Sequence, residues 1–278
     1  MRIDAHFHVW DPATRRHAWI EQTPALYRRF GVEEVEALAH GCGIERGVLV
    51  QVLAETDETE EFLALAQAHE FVAGVVGWVD LSAPDVGEAI ARLRDGPGGE
   101  RLVGVRHLVQ SEPDPGYLGR EAVVAGLRQV AGAGCRFDLL VTTAQLPAAT
   151  RLAAALDDLP MVLDHGAKPP IATGELEPWR SWIARLAELE HVSCKLSGLV
   201  TEAGDRCTVE AIAPYADHLL ECFGPRRLLF GSDWPVCTVA ASYGEVVTLA
   251  GALIERLSDA ERAEVLGANA ARFYGLAA

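Results

Sequence analysis

Short runs of aliphatic and β-branched residues alternate with longer amphipathic stretches along the whole chain. The runs predict strands over residues 2–9, 46–53, 71–80, 102–108, 135–142, 160–165, 191–197 and 227–233. Strands that alternate with helical stretches are typical of βα units built over a parallel sheet. Eight such units within 278 residues predict an α/β fold, a single (β/α)8 barrel.

The stretches between the strands carry helix start signals. An acidic segment over residues 57–60 predicts the start of a helix that runs toward His69. Further helices are predicted over residues 84–94, 120–133, 144–156, 178–189, 209–223 and 243–257. Ser258 and Glu261 form a capping-box pattern, which predicts an additional C-terminal helix over residues 258–274. Because nothing resembling a linker interrupts the pattern, residues 1–278 are predicted to form one domain.

Composition narrows the class of partner. The chain carries 24 Lys and Arg against 40 Asp and Glu, a net charge of −16, which argues against nucleic acid and anionic membranes. A small molecule is the expected partner, and the oligomeric state stays open. The chain begins without a signal-peptide pattern and contains no apolar run near ~20 residues, so we expect a soluble, cytoplasmic protein. The six cysteines lack CxxC spacing, which predicts reduced thiols.

His6 and His8 stand two residues apart on the first predicted strand. Residues i and i+2 of a strand face the same side, so both imidazoles are expected to point into one small volume. Active sites of such barrels lie at the carboxyl ends of the strands, where His165 and Asp233 are also predicted to lie. Three nitrogens and one carboxylate suit a divalent metal such as zinc, or an activated water held without metal.

Each of these residues also has a structural explanation, because a histidine can be buried in a core and an aspartate can cap a helix. Four such residues at corresponding strand ends favour a shared functional site. Seven other polar or aromatic residues near strand ends are predicted substrate contacts: Gln51, Trp78, Arg106, His107, Lys168, Lys195 and Trp234. Arg106 and His107 are adjacent, so only one can face the interior, and Arg106 is favoured.

Several segments carry a family resemblance. They are residues 4–10 (DAHFHVW), 102–107 (LVGVRH), 163–169 (LDHGAKP), 195–199 (KLSGL), 231–235 (GSDWP) and 269–274 (NAARFY). With them the chain resembles the amidohydrolase superfamily, within it the amidohydrolase-2 type that includes sugar lactonases. Together with residues 110–115 (QSEPDP), they look like the branch that holds fuconolactonases, rhamnonolactonases and pyrone-dicarboxylate lactonases.

The resemblance implies a TIM-like barrel that opens a sugar lactone, such as L-fucono- or L-rhamnonolactone, to its aldonic acid. Asp233 would activate the water, while His6, His8 and His165 would polarise the carbonyl directly or through a metal. The fourth predicted strand offers no candidate for a carboxylated lysine and the fifth offers no histidine, which argues against a binuclear centre. One zinc ion and metal-independent catalysis both stay open.

Two alternative functions remain at this point. One is a pyrone-dicarboxylate-type lactonase, or a related decarboxylase or amidohydrolase, on the same barrel. The other is a barrel that binds a sugar without turnover, against which the intact set of three histidines and Asp233 counts. Fold alone decides neither, because one barrel hosts many chemistries.

Overall fold

A computed structural model describes residues 1–277 and contains a sheet of eight parallel strands in sequential order. The strands are β1 (Ile3–Phe7), β2 (Arg46–Val50), β3 (Val72–Gly77), β4 (Leu102–His107), β5 (Arg136–Leu139), β6 (Met161–Leu163), β7 (Val192–Leu196) and β8 (Leu228–Phe230). The chain after β8 closes onto β1, since His8 N–H donates to the Trp234 carbonyl at 2.7 Å and Asp233 N–H to the His6 carbonyl at 2.8 Å. The predicted (β/α)8 barrel is confirmed.

Helices surround the sheet. They are α1 (Val32–Gly41), α2 (Thr56–Ala68), α3 (Val86–Asp95), α4 (Glu121–Gly132), α5 (Leu146–Ala155), α6 (Trp179–Ala187), α7 (Leu199–Ala203), α8 (Val209–Phe223), α9 (Tyr243–Leu253), α10 (Asp259–Ala263) and α11 (Asn269–Tyr274). Helix α1 was not predicted, although Val32, Val35 and Ala39 follow a helical spacing and are buried. The short helix α7 was missed as well.

The predicted C-terminal helix over residues 258–274 is present but interrupted. A π-helical turn, Glu264–Ala268, separates α10 from α11. Gly267 within this turn lies so close to the start of the chain that a Cβ atom there would come 2.3 Å from the Met1 carbonyl oxygen. The helix therefore widens where it packs against the chain leading into β1.

All eight strands end earlier than predicted, and the early ends of three of them position the site. β1 ends at Phe7, β6 at Leu163 and β8 at Phe230, so three of the four residues of the predicted site lie in the loops that follow. Four residues in the loops after β6 and β8 have positive φ angles: His165 (53°), Ala167 (60°), Lys168 (53°) and Asp233 (57°). Left-handed backbone cannot continue a strand, so these residues turn their side chains over the barrel mouth.

Two apolar clusters stabilise the fold. A cluster inside the barrel contains Ile3, Val50 and Val162, and Ala270 and Tyr274 of α11 pack against it. A larger cluster lies between the sheet and the helices. Burial of this apolar surface is the main force that holds the strand ends in register.

Two smaller expectations concern the chain as a whole. All six cysteines are free, as their spacing predicted. Within residues 1–277, no helix combines the length and the apolar character needed to cross a membrane. The single-domain organisation over residues 1–278 stays a prediction, and its last residue lies outside the described part of the chain.

Candidate active site

The four residues of the predicted site meet at the carboxyl end of the barrel. The Nε2 atoms of His6 and His8 lie 3.1 Å apart. Asp233 Oδ1 lies 3.7 Å from His6 Nε2, 3.5 Å from His8 Nε2 and 3.8 Å from His165 Nε2. All four residues are buried, and three of them line a cavity of about 260 Å³. The four side chains that were predicted to meet at the strand ends thus lie together in the structure.

Hydrogen bonds at Nδ1 orient the rings of His8 and His165 so that their Nε2 atoms face Asp233. The Nδ1 atom of His8 lies 2.7 Å from the Val50 carbonyl oxygen, and Nδ1 of His165 lies 2.8 Å from Ser197 Oγ. Their Nε2 atoms are left to face the cavity. Such outer partners fix the orientation of an imidazole, so the cluster is preorganised.

Asp4 joins β1 to the loop after β8 and was not recognised from the sequence. Its Oδ1 atom accepts hydrogen bonds from the backbone N–H groups of His6 (3.1 Å) and Ser232 (2.8 Å). Its Oδ2 atom accepts one from the Tyr243 hydroxyl at 3.1 Å. Burial raises the pKa of Asp4 to about 6. The carboxyl group therefore ties together the two segments that carry the histidine pair and Asp233.

Burial determines the protonation states of the cluster. It lowers the pKa values of His6 and His8, and it lowers that of His165 to about 4. Burial alone would raise the pKa of Asp233, but the adjacent imidazoles, above all His165, hold that pKa below its usual range. At neutral pH the site thus combines neutral imidazoles with one carboxylate.

A buried network of four charged residues lies beneath the cluster. Arg106 Nη1 donates to Asp164 Oδ2 at 3.0 Å, and Lys195 Nζ donates to Asp138 Oδ2 at 2.5 Å. Lys195 Nζ also lies 2.9 Å from Asp164 Oδ1, and Tyr274 donates to Asp138 at 2.8 Å. Two cations thus balance two buried carboxylates, as buried charges require. Neither aspartate was predicted to have a role, although Asp164 directly precedes His165.

Two of the seven predicted substrate contacts line the cavity, Arg106 and Lys168. Arg106 is thus the member of the adjacent pair that faces the interior. Lys168 Nζ donates to Glu202 at 3.2 Å. Further lining residues that were not predicted are Trp19, Val52, Leu108, Gln110, Ser111, Leu140 and Val236, most of them in loops.

Three predicted contacts are buried in the protein instead. Gln51 accepts from Arg106 Nε at 3.1 Å through its side chain, and its carbonyl oxygen accepts from Nη2 at 2.5 Å. Lys195 is fully buried beneath the cluster, and Trp234 packs edge-on against Phe30. None of the three lines the cavity, because β-strand position alone does not distinguish the cavity surface from the layer below it. Their direct contact with substrate stays a prediction.

Trp78 and His107 form a separate unit away from the cavity. Trp78 Nε1 donates to His107 Nδ1 at 3.1 Å, and His107 Nε2 donates to Glu112 at 2.6 Å. The His107 ring stacks on Tyr117 with the ring centroids 4.6 Å apart. Adjacent residues of a strand face opposite sides, so once Arg106 points inward His107 points away. Neither residue lines the cavity, and their contact with substrate stays a prediction.

Glu58 of α2 holds the loop after β2. Its Oε2 atom accepts hydrogen bonds from the N–H groups of Val52 (2.7 Å) and Leu53 (2.9 Å), and Val52 lines the cavity. Burial raises the pKa of Glu58 to about 7. A raised pKa in the folded state means that folding favours the protonated form of Glu58. The contribution of this group to the free energy of unfolding is therefore fully present below the pKa that Glu58 has in the unfolded chain, and it is lost as the pH rises through 7.

Glu58→Gln is therefore expected to flatten one step of the pH–stability curve. The variant should match the wild type near pH 4 and exceed its free energy of unfolding by up to about 3 kcal/mol above pH 7, since one pKa unit corresponds to 1.36 kcal/mol. Urea unfolding from pH 4 to 8 measures this difference. Glu60→Gln, at an exposed position of the same helix, is the control. Parallel curves for Glu58→Gln and wild type would contradict the prediction.

The cluster also fits one divalent metal ion. Nitrogen and oxygen ligands about 2.0–2.1 Å from a tetrahedral zinc lie about 3.3 Å from each other. The separations of 3.5 and 3.8 Å from Asp233 Oδ1 to His8 and His165 are close to this spacing. Ligand atoms of His6, His165 and Asp233 also lie close enough together to hold a metal ion. Donors of these types, with outer hydrogen bonds that fix two of the rings, suit a divalent metal ion.

Comparison with known proteins assigns the chain to a family. A family model described as "Amidohydrolase" matches residues 3–276. An L-fucono-1,5-lactonase of Burkholderia ambifaria is 38% identical over 98% of this chain and 95% of its own length. One of Burkholderia multivorans is 40% identical over 99% of this chain and 96% of its own. A crystal structure of a B. multivorans amidohydrolase with bound zinc superposes with a TM-score of 0.94, at 39% identity and full coverage of both chains.

Proposed function

Because this chain belongs to the amidohydrolase family, we propose that it hydrolyses a sugar lactone to the corresponding aldonic acid. The observation that carries the proposal is an ionised carboxylate, Asp233, set among neutral imidazoles at the wall of a cavity. The two Burkholderia L-fucono-1,5-lactonases, which align over nearly their whole length, support the substrate class. The reaction is the hydrolysis of a cyclic ester.

Asp233 is the proposed general base. As the water oxygen attacks the carbonyl carbon, a water proton passes to the Asp233 carboxylate. When the tetrahedral intermediate collapses, the ring C–O bond breaks and Asp233 returns that proton to the leaving alkoxide. A carboxyl group whose pKa lies below the usual range is a weak base but a strong acid, so the return of the proton is the favourable half of this cycle.

Arg106 is the proposed electrostatic partner of the reaction. Its guanidinium group is held by Gln51 and Asp164 and borders the cavity. Negative charge develops on the carbonyl oxygen in the transition state, and fixed donors aimed at that oxygen stabilise it. A guanidinium that is already fixed needs little rearrangement as this charge develops.

His8, His165 and Asp233, with His6 beside them, are the proposed ligands of a divalent metal such as zinc. When bound, the metal would polarise the carbonyl and lower the pKa of the attacking water. The zinc-bound B. multivorans structure supports this assignment. Hydrogen bonds from Arg106 and the histidines polarise the same carbonyl in a metal-independent reaction, and we propose that the site supports both.

The cavity lining favours a neutral polyol over a dianion. Lys168 and Glu202 form a mixed pair of donor and acceptor at the mouth, and Gln110 and Ser111 add neutral polar groups. A dicarboxylate favours several Arg forks, but Arg106 is the one arginine among the described cavity-lining residues. The net charge of −16 gives no attraction toward anions.

The cytoplasmic location expected from the sequence stays a prediction.

The decisive experiment compares substrates on protein of measured metal content. We expect L-fucono-, L-rhamnono- and galactonolactones to be hydrolysed with a kcat/KM at least tenfold above that of 2-pyrone-4,6-dicarboxylate, followed by proton release. Parallel assays of the zinc-loaded and the metal-stripped protein test the two routes separately. A kcat/KM for the pyrone that exceeds those of all aldonolactones would contradict the proposed substrate class.

A further inference from the structure

Trp19 lies at the mouth of the cavity with nearly half of its surface exposed. It is 46% exposed, and it lines the same cavity as Asp233 and Arg106, which are 5% and 4% exposed. Trp19 therefore lies near the opening, whereas the proposed reacting groups lie deeper. A large apolar side chain at the entrance of a cavity keeps apolar surface in water that a ligand can cover.

The loop between β1 and α1 holds the backbone of Trp19 in place. Trp19 is the middle residue of a short 3₁₀ turn, Ala18–Ile20. Ile20 N–H donates to the His17 carbonyl oxygen at 3.1 Å. Both His17 and Ile20 are buried. The turn is thus anchored on each side of Trp19, while Trp19 itself is presented to solvent and to the cavity.

Trp10 supports the indole ring of Trp19 and leaves a ring face open. The two ring centroids lie 5.3 Å apart, with 77° between the ring planes. Trp10 is itself fixed, because its Nε1 atom donates to the Leu26 carbonyl oxygen at 3.0 Å and its ring packs against Phe30. A perpendicular neighbour covers at most one face of a ring. Trp10 therefore leaves at least one face of the Trp19 indole uncovered.

A sugar lactone has a surface that matches this ring face. Its hydroxyl groups need polar partners, whereas the C–H groups on one side of the closed ring form an apolar patch with slightly positive hydrogens. The face of an aromatic ring is negative, so it attracts such a patch in addition to removing it from water. Gln110, Ser111 and Lys168 supply polar groups in the same lining. The cavity thus offers both kinds of contact that a sugar ring needs.

We propose that Trp19 is a specificity-determining residue that packs on the C–H face of the closed lactone ring and thereby distinguishes substrate from product. The inference rests on the proposed lactonase function. Hydrolysis opens the ring, and the C–H groups of the open chain no longer form a flat patch, so the acid loses this contact. The ring is still closed while water attacks. The contact is therefore equal in the bound substrate and in that transition state, and such uniform binding lowers KM without changing kcat.

Trp19→Leu tests the inference, because leucine keeps an apolar side chain on the loop but has no flat ring. We expect its KM for L-fuconolactone to rise about tenfold and its kcat to stay within about twofold of wild type. The inhibition constant of L-fuconate should also stay within about twofold of wild type, since the acid does not use the ring face. Trp19→Phe keeps an aromatic face and should hold KM within about threefold.

Two results of these assays would overturn the inference. One is an unchanged KM in Trp19→Leu. The other is a parallel rise of KM and of the inhibition constant of L-fuconate, because a purely structural role of Trp19 would weaken binding of the ring and of the acid alike.

Tyr27→Leu is the matched control. Tyr27 lies in the same loop and is 50% exposed, but it is not among the residues that line the cavity. Its substitution removes an exposed aromatic ring outside the cavity and should leave KM, kcat and the inhibition constant within about twofold of wild type. A tenfold rise of KM in Tyr27→Leu, comparable to that in Trp19→Leu, would assign the effect to the loop as a whole and would overturn the inference.

A binding measurement separates this inference from the proposed function. The δ-lactam of L-fuconic acid has the same ring carbons as the lactone, and its amide bond resists hydrolysis. In isothermal titration calorimetry, wild type should bind this lactam about tenfold more tightly than Trp19→Leu does. Equal affinities would overturn the inference. Inactivity of the wild type toward every lactone would instead contradict the proposed function alone, because the titration needs no turnover.

Discussion

Asp233→Asn is expected to lower kcat by about 100-fold or more while the fold survives. General-base catalysis contributes about 10² to 10⁴ in rate, and an amide cannot take the proton that the water must lose. Asparagine keeps the size of the side chain, and the backbone N–H of this position still donates to the His6 carbonyl. Steady-state kinetics on the best lactone, together with thermal unfolding, measure both parts of the prediction.

The matched control for this substitution is Asp95→Asn, at the exposed end of α3. It makes the same chemical change outside the cavity lining and should leave kcat within about twofold of wild type, as surface substitutions generally do. Near-normal turnover in pure Asp233→Asn protein would exclude Asp233 as the base. The histidines would then be the next groups to test.

Arg106→Lys is expected to have the second largest effect, a loss of roughly 100-fold in kcat/KM. Lysine keeps the positive charge but lacks the planar fork that bonds Gln51 and Asp164 at the same time. The carbonyl oxygen then loses a fixed donor. The free energy of unfolding should also fall by about 2 kcal/mol or more, because Asp164 keeps a weaker partner.

Arg101→Lys provides the comparison for Arg106. Arg101 stands just before the same strand and has a side chain that is 33% exposed. Its substitution should change neither kcat/KM nor the unfolding midpoint appreciably. If Arg106→Lys kept wild-type kcat/KM, the guanidinium would be a structural group and the oxyanion donors would have to be the histidines.

The barrel and the four-residue cluster could be predicted because both depend on strong local signals. β-branched runs mark the strands, and the carboxyl ends of parallel strands in a barrel all meet at one mouth. His165 and Asp233 could be placed there even though the strands before them end earlier than predicted. An error of two or three residues at a strand end does not move a side chain away from the barrel mouth.

The individual contacts were less predictable, because they depend on depth and side-chain direction. Lys195 has the sequence features of a substrate contact, but it lies one layer below the cavity, where two aspartates neutralise it. Trp19, which does line the cavity, lies in the long loop between β1 and α1. Loop residues are brought to the mouth by tertiary packing, which local periodicity does not encode.

The left-handed backbone at the end of β6 bears on any effort to make this protein more heat tolerant. His165, Ala167 and Lys168 all have positive φ, and each such residue stores about 1–3 kcal/mol of strain. A library of variants selected for survival at high temperature would therefore become enriched in glycine at these positions. At His165 and Lys168 the change would also remove side chains that line the cavity. Such a library needs a turnover assay in every round, because thermal selection alone would favour stable and inactive barrels.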